Sequence, residues 1–285
     1  MNTSPSTLFN LGCGPTVAKG WRNFDINPIN KEVEYWHANN PIPATDCYVD
    51  VIYNSHMLEH LNPSSAKKFL KDCHRVLKKN GIIRIVVPDL EQICHQYLKA
   101  IQRVDNGEKL SRHDATWMRL EIFDQMTRDF SGGGMEKFLK SNPPNSEFII
   151  NRCGEQVKLF FNKNDEQSSQ IKIRQAPFHL RVKAFMSRTL NFNNLRNSFL
   201  KKILGKKDYA ALQYGRFHEC GELHKFMYDR ILIKDILQDI GFSNITGQSH
   251  SQSIIPNWKE YGLDSTNSDT ARKPDSLYIE AIKPA

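Results

Sequence analysis

Over the first ninety residues, apolar runs alternate with turn signals and one helical stretch in an order that few folds accept. "TLFNLGCG" (7–14) is an apolar run closed by two glycines, the pattern of a buried strand and a tight turn. "WRNFDI" (21–26), "EVEYWHA" (32–38) and "YVDVIYNS" (48–55) read as three further strands. Pro63-Ser64-Ser65 then opens "AKKFLKDCHRVLKKNG", with Phe69, Cys73, Val76 and Leu77 at helical spacing, a cationic last turn and Gly81 as the stop. "IIRIVVPDL" (82–90) is a fifth strand. Strand, helix, strand in this order predicts α/β architecture around a parallel sheet with right-handed crossovers.

From about residue 91 to 220 the pattern changes to a mostly helical stretch, with turns at "SGGGM" (131–135) and "NPPNS" (142–146). "YDRILIKDILQDIGF" (228–242) restores a helix and "SLYIEAIKP" (276–284) a last strand. The expectation is one α/β domain, 1–90 with 221–285, interrupted by an insertion, 91–220, that builds a substrate pocket over the strand ends. The longest apolar runs are too short to span a membrane. The N-terminus shows no basic and apolar export pattern. Six cysteines without a Cys-x-x-Cys pair fit free thiols in a reducing cytoplasm.

Gly12 and Gly14 flank Cys13 at the carboxyl end of the first strand, where ligands sit in open α/β sheets. Asp25 ends the second strand, where a carboxylate accepts hydrogen bonds from both hydroxyls of a ribose. The dinucleotide fingerprint requires a third glycine, and "GCGPTV" lacks it, so a cofactor without a pyrophosphate fits better. Only six residues separate Gly14 from Trp21, too few for the usual crossover helix, which is reduced to a turn or lost.

In "LFNLGCG", Asp25, "VDVIYNSHMLEHL" and "HRVLKKNGIIRIVVPD" the chain resembles the class I S-adenosylmethionine-dependent methyltransferases. "FDQMTRDFSGGGM", "GELHKFMYDRILIKDILQDIGF" and "ARKPDSLYIEAIKP" resemble a bacterial subgroup associated with cell-surface polysaccharide assembly. The resemblance implies a Rossmann-like sheet with helices on both faces and S-adenosylmethionine as cofactor, S-adenosylhomocysteine being the product. It implies that Leu11, Gly12, Cys13 and Gly14 face the methionine part, Asp25 the ribose, and Ile26 and Asn39 the adenine. Asn54 and Ser55 then lie under the sulfonium. It further implies methyl transfer to a hydroxyl of a sugar or glycan intermediate.

"SHMLEH" (55–60) places His56, Glu59 and His60 at spacings of three and four, on one side of a helix starting near residue 57. Three readings stay open. They are packing groups at a helix start, a general base, or ligands of a divalent metal, for which the set is His56, Glu59 and His60. As base, His56 stands first, with His60, Asp89 and His224 as the other candidates and Tyr228 as a further neighbour. Some relatives carry Glu-x-x-Glu-His here and bind a metal; this chain has a histidine in place of the first glutamate.

The net charge of +8 is concentrated. Between Ile171 and Cys220 there are eleven Lys/Arg against Asp208 and Glu219. In 171–207 the cations interleave with Phe, Leu, Ile and Met, which suits a solvated helix face, an anionic membrane surface holding a lipid-linked glycan, or RNA phosphates. Two other functions therefore stand beside the glycan reading: an RNA methyltransferase, and a non-catalytic S-adenosylmethionine-binding partner subunit. The expected location is cytoplasmic, with peripheral contact at the inner membrane face.

Overall fold

The computed structural model describes residues 6–154, 157, 161, 192–266 and 268–285. Seven strands form one sheet: β1 (Leu8–Leu11), β2 (Arg22–Asp25), β3 (Val33–Tyr35), β4 (Val49–Ser55), β5 (Leu77–Pro88), β6 (Ser243–Gln248) and β7 (Ser276–Ile282). Their order is β3-β2-β1-β4-β5-β7-β6. β1 to β5 run parallel, and β7 is antiparallel to both β5 and β6. This mixed sheet is the Rossmann-like class I arrangement expected from the sequence. The direction of winding reverses between β1 and β4, so their carboxyl ends flank the crevice where such sheets bind ligands.

Strand alternation divides the core. Phe9, Leu11, Ile52, Ile83 and Ile85 face α1 (Pro63–Val76) and α7 (Arg230–Ile240), meeting Phe69, Leu70, Cys73, Ile233 and Leu237. The Asn62 side chain caps α1 by accepting from Ser65 N at 2.9 Å, with Pro63 at the first position. The helix ends at Val76, not at Gly81. Leu77 is fully buried and already pairs with Val49, while Val51 pairs with Ile82, so residues 78–81 form a bulge inside β5. Burial of Leu77 and the Lys78–Asp50 pair at 2.9 Å outweigh the helical propensity of "LKKNG".

No helix joins β1 to β2. Two buried asparagines replace it. Asn10 Nδ2 donates to Thr16 O at 2.9 Å and to Asn23 Oδ1 at 3.0 Å. Asn23 Oδ1 also accepts from Ala18 N, and its Nδ2 donates to Ala18 O and Trp21 O. The connection thus satisfies its buried backbone without a helix. Asn23→Ala is expected to cost about 2 kcal/mol, since several buried groups lose partners at once. A lowered urea midpoint with faster amide exchange at 16–21 would show it; an unchanged midpoint would refute it.

On the second face, Trp21, Val51, Tyr53 and Tyr278 pack against Ile255, Trp258 and Leu263 from the β6–β7 connection, which includes a 3₁₀ helix, Trp258–Tyr261. Arg84, fully buried on β5, ties that connection down. It pairs with Asp264 at 2.7 Å and Glu280 at 2.6 Å, donates to Ser249 O and Gln252 O, and lies 4.4 Å from the Trp258 ring. Tyr53 donates to Asp264 at 2.6 Å.

After β5 come α2 (Leu90–Asp105), α3 (Ser111–Thr127), α4 (Gly133–Lys140) and α5 (Ser146–Cys153), around a separate apolar cluster of Ile93, Trp117, Met118, Leu139 and Ile149. α6 (Phe192–His218) is kinked at Gly205. Among the described residues the span 91–220 is mostly helical, as expected. Residues 171–191 of the basic segment lie outside the described residues. β6 was not legible in the sequence: "SNITGQ" is half exposed at the sheet edge, with Asn244 at positive φ. All six cysteines are free. Among the described residues no helix is long and apolar enough to cross a membrane.

Candidate active site

A cavity of about 510 Å³ opens at the carboxyl ends of β1, β2 and β4. Its floor is the bend after β1. Gly12 and Gly14 have φ of +72° and +50°, conformations that favour glycine. A Cβ on Gly12 would lie 2.8 Å from Met57 Cγ. A Cβ on Gly14 would meet no protein atom within 4 Å, so the absent side chain leaves room for a ligand. Asp25 closes this end: Oδ2 accepts from Gly14 N and Oδ1 from Asn27 N, both at 2.8 Å. Each oxygen keeps a further lone pair for ribose hydroxyls. Burial, with the charge of Asp25 adding to it, pushes the Cys13 thiol up to about 11, so it stays protonated.

Gly12, Cys13, Gly14, Asp25, Ile26, Asn39 and Ser55 all line the cavity, where the sequence placed them. Leu11 and Asn54 do not. Leu11 is fully buried against the helices, because alternation along β1 turns Asn10 to the cavity instead. Asn54 is fully buried too, neighbouring Tyr53 and Ser55 but pointing to the opposite face, with neither amide atom bonded. The sequence reading overlooked Asn10, Trp36, His37 and Ala38, which also line the cavity.

The SHMLEH stretch is not the start of a helix. His56 has φ of +51°, residues Leu58–His60 form one 3₁₀ turn, and α1 begins only at Pro63. His56 Nε2 sits 2.8 Å from Ser276 Oγ and its Nδ1 3.3 Å from Glu59 Oε1. Both nitrogens thus face protein groups, while the residue also lines the cavity. His60 lines the cavity, with Nδ1 3.1 Å from Leu223 O, and its ring meets that of His224 edge-on at 4.8 Å. Glu59 O accepts from Lys225 N and Phe226 N, which fixes His224 opposite His60 across 164 residues of chain.

Burial alone would raise the Glu59 carboxyl. The His56 imidazole 3.3 Å away, with those of His224 and His60 behind it, outweighs burial and holds it down at about 2. Burial pushes His224 down to about 3, only partly opposed by Glu59, so the imidazole is neutral near pH 7. Asp89 stands apart from the cavity: it caps α2, accepting from Gln92 N at 3.1 Å. Tyr228 is buried in the main core, its hydroxyl raised to about 12 by burial and then by Glu59.

Lys225, Arg272 and Lys273 also line the cavity. Burial pushes Lys273 below its ordinary value, partly opposed by Glu59, Asp275 and Asp264, and it makes no ion pair among the described residues. The signal was the "ARKPDS" cation pair before the last strand, read only as part of a motif. Of the described residues in 91–220, only Glu219 lines the cavity.

Residues 17–85 match a family described as a methyltransferase domain. No curated protein matches the chain. Similar solved structures include an S-adenosylmethionine-dependent methyltransferase from Archaeoglobus fulgidus, at 12% identity, TM-score 0.38 and coverage of 98% of this chain and 86% of that one. Another, from Thermotoga maritima, has 9% identity, TM-score 0.37 and coverage of 99% and 84%. A third, a TehB-like one from Corynebacterium glutamicum, has 19% identity, TM-score 0.26 and coverage of 30% and 56%. Scores this low say nothing about acceptor or partner. The domain match and the sheet, with the open bend at 12–14 and the Asp25 carboxylate, make S-adenosylmethionine the cofactor that fits this cavity.

Proposed function

We propose, taking a methyltransferase domain on a class I sheet as the premise, that this protein methylates a hydroxyl of a sugar or glycan intermediate. When bound, S-adenosylmethionine supplies an electrophilic methyl group for in-line attack. The chain supplies alignment, and a fixed attack geometry is worth about 7–11 kcal/mol of a barrier. The single observation that carries the reading is the mixed lining of one cavity. Besides the glycine bend, Asp25 and the 36–39 loop, it is lined by His60, Asn62 and Ser65 and by the cations Lys225, Arg272 and Lys273. Hydroxyl and amide groups suit a polyol, and the cations suit one that also bears phosphate or carboxylate. His60, which lines the cavity beside His224, is the group we place at the acceptor hydroxyl.

α6 supports a lipid-linked form of that acceptor. Phe199 and Ile203 are each 63% exposed, and they stand among exposed Lys201, Lys202, Lys206 and Lys207. Apolar groups beside lysines suit an anionic leaflet, at about 1 kcal/mol per cation near its surface. The test is release of S-adenosylhomocysteine from S-adenosylmethionine, with nucleotide sugars, lipid-linked oligosaccharide in anionic vesicles, or RNA as acceptor. Turnover is expected with the saccharides, highest on vesicles, and none with RNA. Turnover with RNA alone would overturn the reading.

A further inference from the structure

Three donors from two distant stretches meet beside the cavity. Ligand atoms of Glu59, His60 and His224 all lie within 4.8 Å of one another. Glu59 is fully buried and His224 is 6% exposed. Neither Glu59 oxygen completes a hydrogen bond, although His56 Nδ1 lies 3.3 Å from Oε1, and His224 Nδ1 has no partner at all. Buried polar groups left in this state are costly, and a buried carboxylate most of all. Three such donors aimed at one point can be satisfied together by a cation.

The donors are also held as ligands usually are. His60 Nδ1 lies on Leu223 O, which fixes it as the donor and leaves the Nε2 lone pair free. His224 is anchored through its own N–H to Gln125 O at 3.0 Å, and its neighbours Lys225 and Phe226 donate to Glu59 O at 2.7 and 3.2 Å. His56 backs Glu59 and is itself held by Ser276 Oγ. We propose that Glu59, His60 and His224 bind one divalent cation of the zinc, manganese or cobalt type, with an open position facing the cavity. Two imidazoles and one carboxylate suit such ions, and three protein ligands leave room for an oxygen ligand. Ligand atoms at about 2.0–2.2 Å from one ion in a tetrahedral site lie about 3.3–3.6 Å apart, so the most widely spaced donors draw in by about 1 Å on binding.

The role of the ion rests on the proposed methyl transfer: it would hold the acceptor oxygen and make its hydroxyl more acidic, as bound zinc brings water to a pKa of about 7. The existence of the site does not depend on that role. The test uses the full chain, stripped with a chelator and titrated with cobalt(II). Visible absorption reports the cobalt, calorimetry the binding of S-adenosylhomocysteine, and circular dichroism the fold. One equivalent of cobalt is expected. His224→Ala and Glu59→Gln should each weaken it by at least about 100-fold, and His56→Ala by about 10–100-fold, as outer partners of ligands do. All should still bind S-adenosylhomocysteine. Natively folded protein that takes up no cobalt, or His224→Ala with undiminished affinity, overturns the site. Cobalt uptake without any S-adenosylhomocysteine binding upholds the site and sinks the methyl-transfer reading instead.

Discussion

Arg84→Met is expected to destabilise the protein by about 3–5 kcal/mol, because removing one partner of a buried ion network strands the others. Arg84 is the sole cation paired with Asp264 and Glu280 among the described residues, and all three are at most 4% exposed. Methionine fills much of the volume but leaves both carboxylates facing an apolar wall. Glu280 keeps Ser253 Oγ and Ile254 N, and Asp264 keeps Tyr53 Oη, so the fold is weakened rather than lost. The triple change Arg84→Met, Asp264→Asn, Glu280→Gln should recover a good part of the loss, since neutral amides tolerate burial better than unpaired carboxylates. Urea denaturation of the three proteins decides it. A loss of under about 1 kcal/mol in the single variant would mean that water already reaches the network, as it does at exposed pairs. Asp264, Lys273 and Tyr278 line the cavity, so the same variant should also weaken ligand binding there.

That network shows where sequence reading stops. Within "IIRIVVP" an arginine marks one polar position on a strand, and nothing nearby says that it is buried. Its partners are 180 and 196 residues away, and only the antiparallel pairing of β5 with β7 brings Glu280 beside it. The glycine bend and Asp25, by contrast, were legible because each acts locally: positive φ after a strand needs glycine, and a strand end is an address in this fold. Leu11 and Asn54 fall outside the cavity lining for a smaller reason. Both sit one residue from cavity groups, and a period of two turns such near misses to the opposite face. His56 and His60 look equivalent in "SHMLEH" and both line the cavity, yet His56, at positive φ, is held between Ser276 and Glu59 while His60 meets His224. His224 was named from its motif, and what joins it to His60 is a backbone bracket between residues 59 and 226 that no local pattern reveals.

Asp25→Ala is expected to weaken S-adenosylhomocysteine binding by about 100-fold or more, since hydrogen bonds to a charged group contribute about 1.5–3 kcal/mol each and two hydroxyls lose their acceptor. The carboxylate is already aimed: Gly14 N and Asn27 N hold its two oxygens from opposite sides, so little ordering is left for the ligand to pay. Its loss frees both N–H groups near the rim, where water can replace it, and stability should fall by only about 1 kcal/mol. Asp25→Asn keeps one acceptor oxygen and should fall between alanine and the wild type, because its amide cannot accept from both Gly14 N and Asn27 N. In turnover, the alanine variant should show a raised KM for S-adenosylmethionine with kcat changed much less. The ribose is gripped equally before and during methyl transfer, so its loss is a loss of uniform binding. Calorimetry separates this from a general collapse of the bend, because collapse would lower the urea midpoint in step with affinity. An alanine variant that binds as tightly as the wild type would mean the nucleoside lies elsewhere, and the assignment of the whole cavity would go with it.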